Sequence, residues 1–218
     1  MPLNKQTGNM YAFVTHTWNP IRGQCPHDCV YCYMKVFPQG EYRFVEGELK
    51  TNLGEGNFIF VGSSTDMWVA SSHWLAPVLG HCGKYRNRYL FQSKAPQQFG
   101  EHEFPPDTIL GTTIETNRPY GDISKAPFVG DRFAEMLKVA LPKMISIEPI
   151  MDFDLDILVG WVEEIAPEFV SIGADSKGHH LPEPSTEKTR QLIEQLRGTT
   201  TVKIKDNLKR LLGQRSRE

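Results

Sequence analysis

No apolar run in this chain approaches the ~20 residues that a helix needs to cross a bilayer. A membrane-spanning role is therefore not expected. Neither sign of charge is in excess: the formal net charge is −2, which gives no global attraction to nucleic acid. Cysteine is scarce, with four in 218 residues. No stretch reads as a secretory leader, so a disulfide-stapled extracellular domain is not expected and the cytoplasm is the expected location. Repeats, low-complexity tracts and an obvious linker are missing as well. What remains, with 39% hydrophobic and 23% charged residues, fits a single domain over 1–218 that can bury its core unaided.

Three of the four cysteines are bunched. Cys25, Cys29 and Cys32 follow a C-x3-C-x2-C spacing inside the stretch from Thr17 to Tyr33. Three thiolates on one short loop can hold three irons of a cubane [4Fe–4S] cluster and leave the fourth without a protein ligand. Zinc is the competing reading, with His27 or the remote Cys82 as fourth ligand. Structural zinc sites usually pair two short clips, and this chain has no second one. A zinc-stabilised nucleic-acid-binding module stays open as the non-enzymatic alternative.

Strand-like and helix-like runs alternate along the chain, which predicts parallel β/α units. The expected strands are Tyr11–Thr15, Phe58–Val61, Tyr89–Gln92, Thr108–Ile114, Met144–Ile147 and Phe169–Ile172, with Val202–Lys205 as a last short one. Expected helices cover Trp68–Leu79 (interrupted near Pro77), Arg132–Leu141, Leu155–Ala166 and Thr186–Arg197, and a short one follows Cys32. In the second of these, Phe133, Met136, Leu137 and Ala140 fall on one helical face. Gly40–Glu55 reads as an excursion or hairpin shielding the site. Six such units predict an α/β fold, a partial (β/α)6 TIM-like barrel open on one side.

Chemistry in parallel barrels gathers at the C-terminal strand ends, and polar residues recur there. The cysteine loop follows the first strand, Asp66 the second, Lys94 the third, Glu115 the fourth, Glu148 the fifth and Asp175 the sixth.

Thr15-His16-Thr17-Trp18-Asn19-Pro20, the cysteine loop with Tyr31 before its last cysteine, Ser63-Ser64-Thr65-Asp66, Ser146-Ile147-Glu148-Pro149 and Ser171-Ile172-Gly173-Ala174-Asp175 occur in that order. Together they resemble the radical S-adenosylmethionine (SAM) superfamily, in particular small, often phage-borne members, with spore photoproduct lyase as a distant relative. The resemblance implies a radical SAM fold, a [4Fe–4S] cluster on Cys25, Cys29 and Cys32, and SAM chelated at the open iron. It implies SAM contacts from Tyr31 near the adenine, from Ser63, Ser64 and Asp66 in the turn after the second strand, and from Lys94, Glu115 and Glu148. Glu115 suits the ribose hydroxyls and Lys94 the SAM carboxylate. The turn departs from the Gly-Gly-Glu of many relatives.

The implied mechanism is one-electron cleavage of SAM to methionine and a 5′-deoxyadenosyl radical, which abstracts hydrogen from substrate. An electron donor such as flavodoxin or ferredoxin is implied as a partner. With no second cysteine cluster and no cobalamin-binding segment, isomerisation, migration, bond cleavage or simple oxidation is favoured. The phage association points to DNA, and to a hypermodified, amino-acid-bearing thymine base as the substrate of an isomerase. In phage-infected cells the location would be the host cytoplasm. A pyrimidine-lesion lyase and a small-molecule or peptide modifier are the enzymatic alternatives. His16, Trp18, Asp175, His179 and His180 are the candidate substrate contacts. Lys84, Arg86, Arg88 and Lys94, and the C-terminal Lys203, Lys205, Lys209, Arg210, Arg215 and Arg217, are candidate phosphate contacts. Trp18, Tyr42, Trp68 and Trp74 are candidate stacking residues.

Overall fold

A computed structural model of the chain describes residues 3–8 and 10–214; Arg215 and Arg217 lie outside the described residues. Its framework is an eight-stranded sheet. The strands are β1 (Asn4–Lys5), β2 (His16–Trp18), β5 (Phe58–Val61), β6 (Arg88–Gln92), β7 (Thr108–Thr113), β8 (Lys143–Ile147), β9 (Phe169–Ile172) and β10 (Thr201–Ile204), adjacent in that order. Every neighbouring pair is parallel except β1 and β2. A separate antiparallel ribbon joins β3 (Ile21–Arg22) to β4 (Arg43–Phe44). Four α-helices follow β5, β7, β8 and β9: α1 (Ser72–Cys82), α2 (Val129–Lys138), α3 (Leu155–Ile165) and α4 (Thr186–Arg197). The crossover after β6 carries only a 3-10 helix, Pro96–Glu101. This is the expected partial barrel: six crossover units, then a seventh parallel strand.

Alternation along the strands divides the residues into two faces. Outward side chains such as Ile59, Val61, Phe91, Ile145, Val170 and Ile172 are buried beneath the helices with Leu75, Met136, Leu158 and Leu192 in one apolar layer. Each such side chain stabilises the fold by about 1.5–3 kcal/mol. Inward positions match across the paired strands and change character along the barrel axis. Phe60, Leu90, Ile109, Met144 and Phe169 form an apolar floor. One two-residue step further come Gln92, Ser146 and Ser171, while on β7 Gly111 intervenes between Ile109 and Thr113, which pairs with Ser146. After them stand the charged Lys94, Glu115, Glu148 and Lys205.

Three expectations need correction. Tyr11–Thr15 is not the first strand; His16–Trp18 is, paired with Ile59–Val61. The aromatic run before it turns on itself (Val14 N–H to Tyr11 O, 3.1 Å) and fills the barrel floor, with Tyr11 stacked on Phe13 and Phe60. The α2 pattern is offset. Val129, Arg132 and Met136 are its buried residues, and Leu137 is 37% exposed. The helix therefore starts earlier than expected and ends before Ala140. Pro77 does not interrupt α1, which runs through it to Cys82. The expected helix after Cys32 is a 3-10 turn over Tyr33–Val36, and the 40–55 excursion contains β4 and a second 3-10 helix, Glu46–Lys50.

Candidate active site at the mouth of the barrel

The cysteine loop leaves between β3 and β4, and this ribbon clasps its base: Gln24 N–H donates to Gly40 O at 2.9 Å. Gly23 makes the crossing possible. Its φ is +112°, and a Cβ there would lie 2.1 Å from Glu41 O. Successive turns, with Asp28 N–H to Cys25 O, Cys32 N–H to Cys29 O and Lys35 N–H to Cys32 O, carry the loop forward. The segment before α2 holds it from outside, through Val30 N–H to Ile123 O at 2.8 Å and Lys125 N–H to His27 O at 2.7 Å.

Cys25, Cys29 and Cys32 are free thiols that line one cavity of about 600 Å³. Ser63, Ser64, Asp66, Lys94, Glu148 and Asp175 line it too, so the structure brings most of the expected strand-end residues together. Burial pushes the Cys25 thiol up, and the Cys29 sulfur is 3.1 Å from Ser124 Oγ. Among the described residues no three His, Cys, Asp or Glu side chains already stand as a metal-holding group. The donor set nonetheless has a definite chemistry. His27 turns Nε2 to Asp66 at 2.8 Å, and Cys82 is fully buried in α1. Cys82 is absent from the cavity wall, whereas His27 lines the same cavity, and bonding Asp66 through Nε2 leaves its other ring nitrogen uncommitted. Three thiols on one short loop fit a cluster with one open iron.

Several expected contacts are committed to one another. Glu115 is 2% exposed, absent from the cavity wall, and paired with Lys94 (2.6 Å) and Arg132 (2.9 Å). The Tyr31 hydroxyl donates to the same carboxylate. Burial alone would raise the Glu115 pKa; Lys94 and Arg132 overcome it and hold it at about 2. Tyr31, with Lys94 Nζ 4.5 Å from its ring centre, is pushed up by burial and by Glu115. Asp66 accepts from Ser93 Oγ, Trp68 N–H and Lys94 N–H besides His27. Ser63 Oγ donates to Asn19 Oδ1 at 3.2 Å. Ser64 Oγ and Thr65 Oγ1 are buried with no partner, and Thr65 also lines the cavity. Glu148 pairs with Lys205 at 2.7 Å, and burial raises its pKa against that lysine.

The expected substrate contacts separate. Asp175 reaches the cavity but is tied to His179, Nδ1 to Oδ1 2.7 Å. His180 lines a neighbouring recess with Arg210 and Glu183. His16 bonds Thr15 Oγ1 and is absent from the cavity wall. Trp18 is a core residue, 1% exposed, with Nε1–H donated to Glu48. Trp68 is buried among Phe91 and Phe99, and Trp74 stacks on Tyr42 and Phe44. Core packing has absorbed these aromatics, so they form no platform for bases. The basic runs also disperse. Lys84 and Arg86 precede β6 whereas Lys94 follows it, and Arg88 pairs with Asp107 and Glu168. Lys205, Lys209 and Arg210 pair with Glu148, Asp206 and Glu183.

Sequence reasoning missed Tyr11, Gln92, Thr113 and Ser146, which line the cavity below the charged residues. Tyr11 Oη lies 2.8 Å from Ser146 Oγ and 3.0 Å from Gln92 Oε1, and Gln92 Nε2 donates to Thr113 at 3.0 Å. The signal was available. Gln92, Thr113 and Ser146 each stand two residues before a strand-end charge, hence on the same face.

No family model and no curated protein matches the sequence. Solved structures similar in fold include the following three. A Cys→Ser variant of spore photoproduct lyase aligns over 89% of this chain and 64% of its own, with 14% identity and a TM-score of 0.59. A Tyr→Phe variant of spore photoproduct lyase aligns over 93% and 80%, with 10% identity and a TM-score of 0.65. Streptococcus suis SuiB bound to the precursor peptide SuiA aligns over 86% and 48%, with 9% identity and a TM-score of 0.61. The chain thus spans less than two thirds of two of these proteins. Its fold is the partial (β/α) barrel of radical SAM structures.

Proposed function

We propose that the chain is a radical SAM enzyme, with a [4Fe–4S] cluster held by Cys25, Cys29 and Cys32 and SAM bound in the adjoining cavity. The observation that carries this reading is the convergence of three free thiols from one loop on one cavity at the C-terminal mouth of the barrel. When bound, cluster and SAM supply one-electron cleavage of the sulfonium and hydrogen-atom abstraction from substrate. The chain's own residues orient and seal. Tyr31 and Lys94 border the space on the side of Glu115, which fixes both. The orphan hydroxyls of Ser64 and Thr65 are donors for SAM in the turn after β5. Tyr33 Oη closes the mouth by donating to Ser63 O at 2.6 Å. Electrons come from a flavodoxin- or ferredoxin-like donor in the cytoplasm.

As substrate we propose an amino-acid-bearing thymine base in phage DNA, isomerised by migration of the attached group. Support comes from the uncharged ring of Gln92, Thr113 and Ser146, whose amide and hydroxyls suit the polar edge of a neutral heterocycle. Two of the fold neighbours are photoproduct lyases by name, which keeps a pyrimidine-lesion lyase as the near variant. A base in duplex DNA must be flipped out to enter. A second reading, modification of a peptide, has its own support. Val30, Tyr33, Val36 and Phe37 are four of the nine exposed large apolar side chains among the described residues, and all lie on the cysteine loop.

The test is anaerobic reconstitution with iron and sulfide, then dithionite and SAM. 5′-Deoxyadenosine should form, and Cys29→Ala should abolish it. A colourless protein that binds zinc and makes none would overturn the enzyme. Turnover with modified DNA, with cross-linked pyrimidines and with peptides, read by product mass, then separates the substrates.

A further inference from the structure

We infer that Asn19, in the Trp18-Asn19-Pro20 segment, is a positioning residue whose side-chain oxygen fixes the turn after β5, so that the Ser64 and Thr65 hydroxyls meet bound SAM. The inference rests on the reading that SAM occupies the cavity beside this turn. Asn19 sits between β2 and β3, and the ribbon sets its place. Its carbonyl accepts from Arg22 Nε–H at 2.9 Å, and Arg22 pairs in turn with the buried Glu48. The flanking carbonyls are taken as well: Trp18 O accepts from Gly62 N–H and Pro20 O from Val45 N–H, each at 2.8 Å.

The side chain carries that geometry to the turn. Asn19 Oδ1 accepts from Ser64 N–H at 2.9 Å and from Ser63 Oγ–H at 3.2 Å. A backbone N–H only donates, so the atom facing it is the amide oxygen. Gly62 starts the turn at a φ of +80°, and Ser63 O is taken by Tyr33 Oη at 2.6 Å. At the other end Asp66 O accepts from Tyr42 Oη at 2.9 Å, and the Asp66 carboxylate holds Trp68 N–H and Lys94 N–H.

Two hydroxyls are left over. Ser64 Oγ and Thr65 Oγ1 are buried without a partner among the described residues, Thr65 is 5% exposed, and both residues line the cavity. A buried unpaired hydroxyl costs free energy, and a polar atom of a ligand removes that penalty. With Gly62, Ser63, Ser64 and Asp66 pinned, the two hydroxyls stay in the wall rather than turning back to the protein. Asn19 is itself absent from the cavity wall, so it acts through the turn and not by touching the ligand.

The test uses protein reconstituted with iron and sulfide and left unreduced, so that equilibrium dialysis with radiolabelled SAM reads binding without turnover. Iron content and melting temperature are measured for each variant. Asn19→Ala should weaken SAM binding about tenfold with iron unchanged, as loss of about one neutral hydrogen bond predicts. Asn19→Asp keeps the accepting oxygen and should stay within about twofold of wild type. In a Ser64→Ala, Thr65→Val background, Asn19→Ala should weaken binding less than about twofold further, since both changes break the same interaction. If Asn19→Ala loses iron, Ser63→Ala takes its place. It strips one bond from Oδ1 and should weaken binding about threefold, again only while the two hydroxyls are present. Unmoved affinity in Asn19→Ala or its stand-in, an Asp variant as weak as Ala, or full additivity overturns the positioning role. Iron-replete wild type that binds no SAM would sink the SAM reading instead.

Discussion

Glu115 shows how a residue can be legible in type and misread in role. A carboxylate at a strand end of a parallel barrel suggests a ligand contact, yet here it neutralises Lys94 and Arg132 behind the cavity wall. Its removal leaves two buried cations facing each other. Glu115→Gln should therefore destabilise the protein by about 3–5 kcal/mol, measured by urea unfolding. The pH dependence has a definite sign. The folded-state pKa is depressed to about 2, so the carboxylate's contribution is complete above the ordinary value of 4.5 and is lost as pH falls toward 2. Melting temperatures of wild type and Glu115→Gln should converge over that window and stay apart at neutral pH. Sequence could supply Lys94 and Glu115 singly. It could not show that they meet, because that depends on the register that sets Gln92 opposite Gly111. Tyr11→Phe tests another such meeting. Loss of its hydroxyl from Gln92 and Ser146 should cost about 1 kcal/mol and leave secondary structure by circular dichroism unchanged.

Among elements, the cysteine loop owes its placement to a ribbon of two short strands rather than to the loop's own sequence. Gly23→Ala should be severe. An added Cβ meets backbone at Glu41, which cannot yield as a side-chain tip would. The clasp between Gln24 and Gly40 should open, and iron uptake per chain should fall several-fold in reconstitution even where the barrel stays folded. The ribbon was only half visible in sequence, since Ile21–Arg22 and Arg43–Phe44 are too short for a periodic signal. The longer elements were legible: α4 matches Thr186–Arg197, with Ser185 capping it through Lys188 N–H. Tyr11–Thr15 misled for a physical reason. β-branched and aromatic residues suit a strand, but these serve as a plug, and a plug carries the same apolar signature.

At the scale of the whole molecule, five of the eight described basic residues that suggested a phosphate track, Arg88, Lys94, Lys205, Lys209 and Arg210, are held in internal ion pairs. Any DNA affinity should therefore depend weakly on salt. With Lys84, Arg86 and Lys203 outside the described ion pairs, the slope of log K against log salt should be near −3, the counterion release of about three phosphates, as read by fluorescence anisotropy. A slope near −5 that persists in an Arg215→Ala, Arg217→Ala double variant would show that the pairs at Lys205 and Arg210 open on binding. Sequence gave the sum of charges but not their partners, and dispersal over both ends of β6 follows only once the strand is drawn.

The inward faces of the strands have one last consequence. Each step of two residues advances the chain by about 6.6 Å, so along β6 and β8 the chamber passes from oil through neutral hydrogen-bonders to ions within about 13 Å. Foldability rests on the lowest tier and cofactor handling on the uppermost. Gln92, Thr113 and Ser146, between them, belong fully to neither. Drift at those three codons can reshape what the chamber admits while the scaffold and the chemistry above it are inherited unchanged.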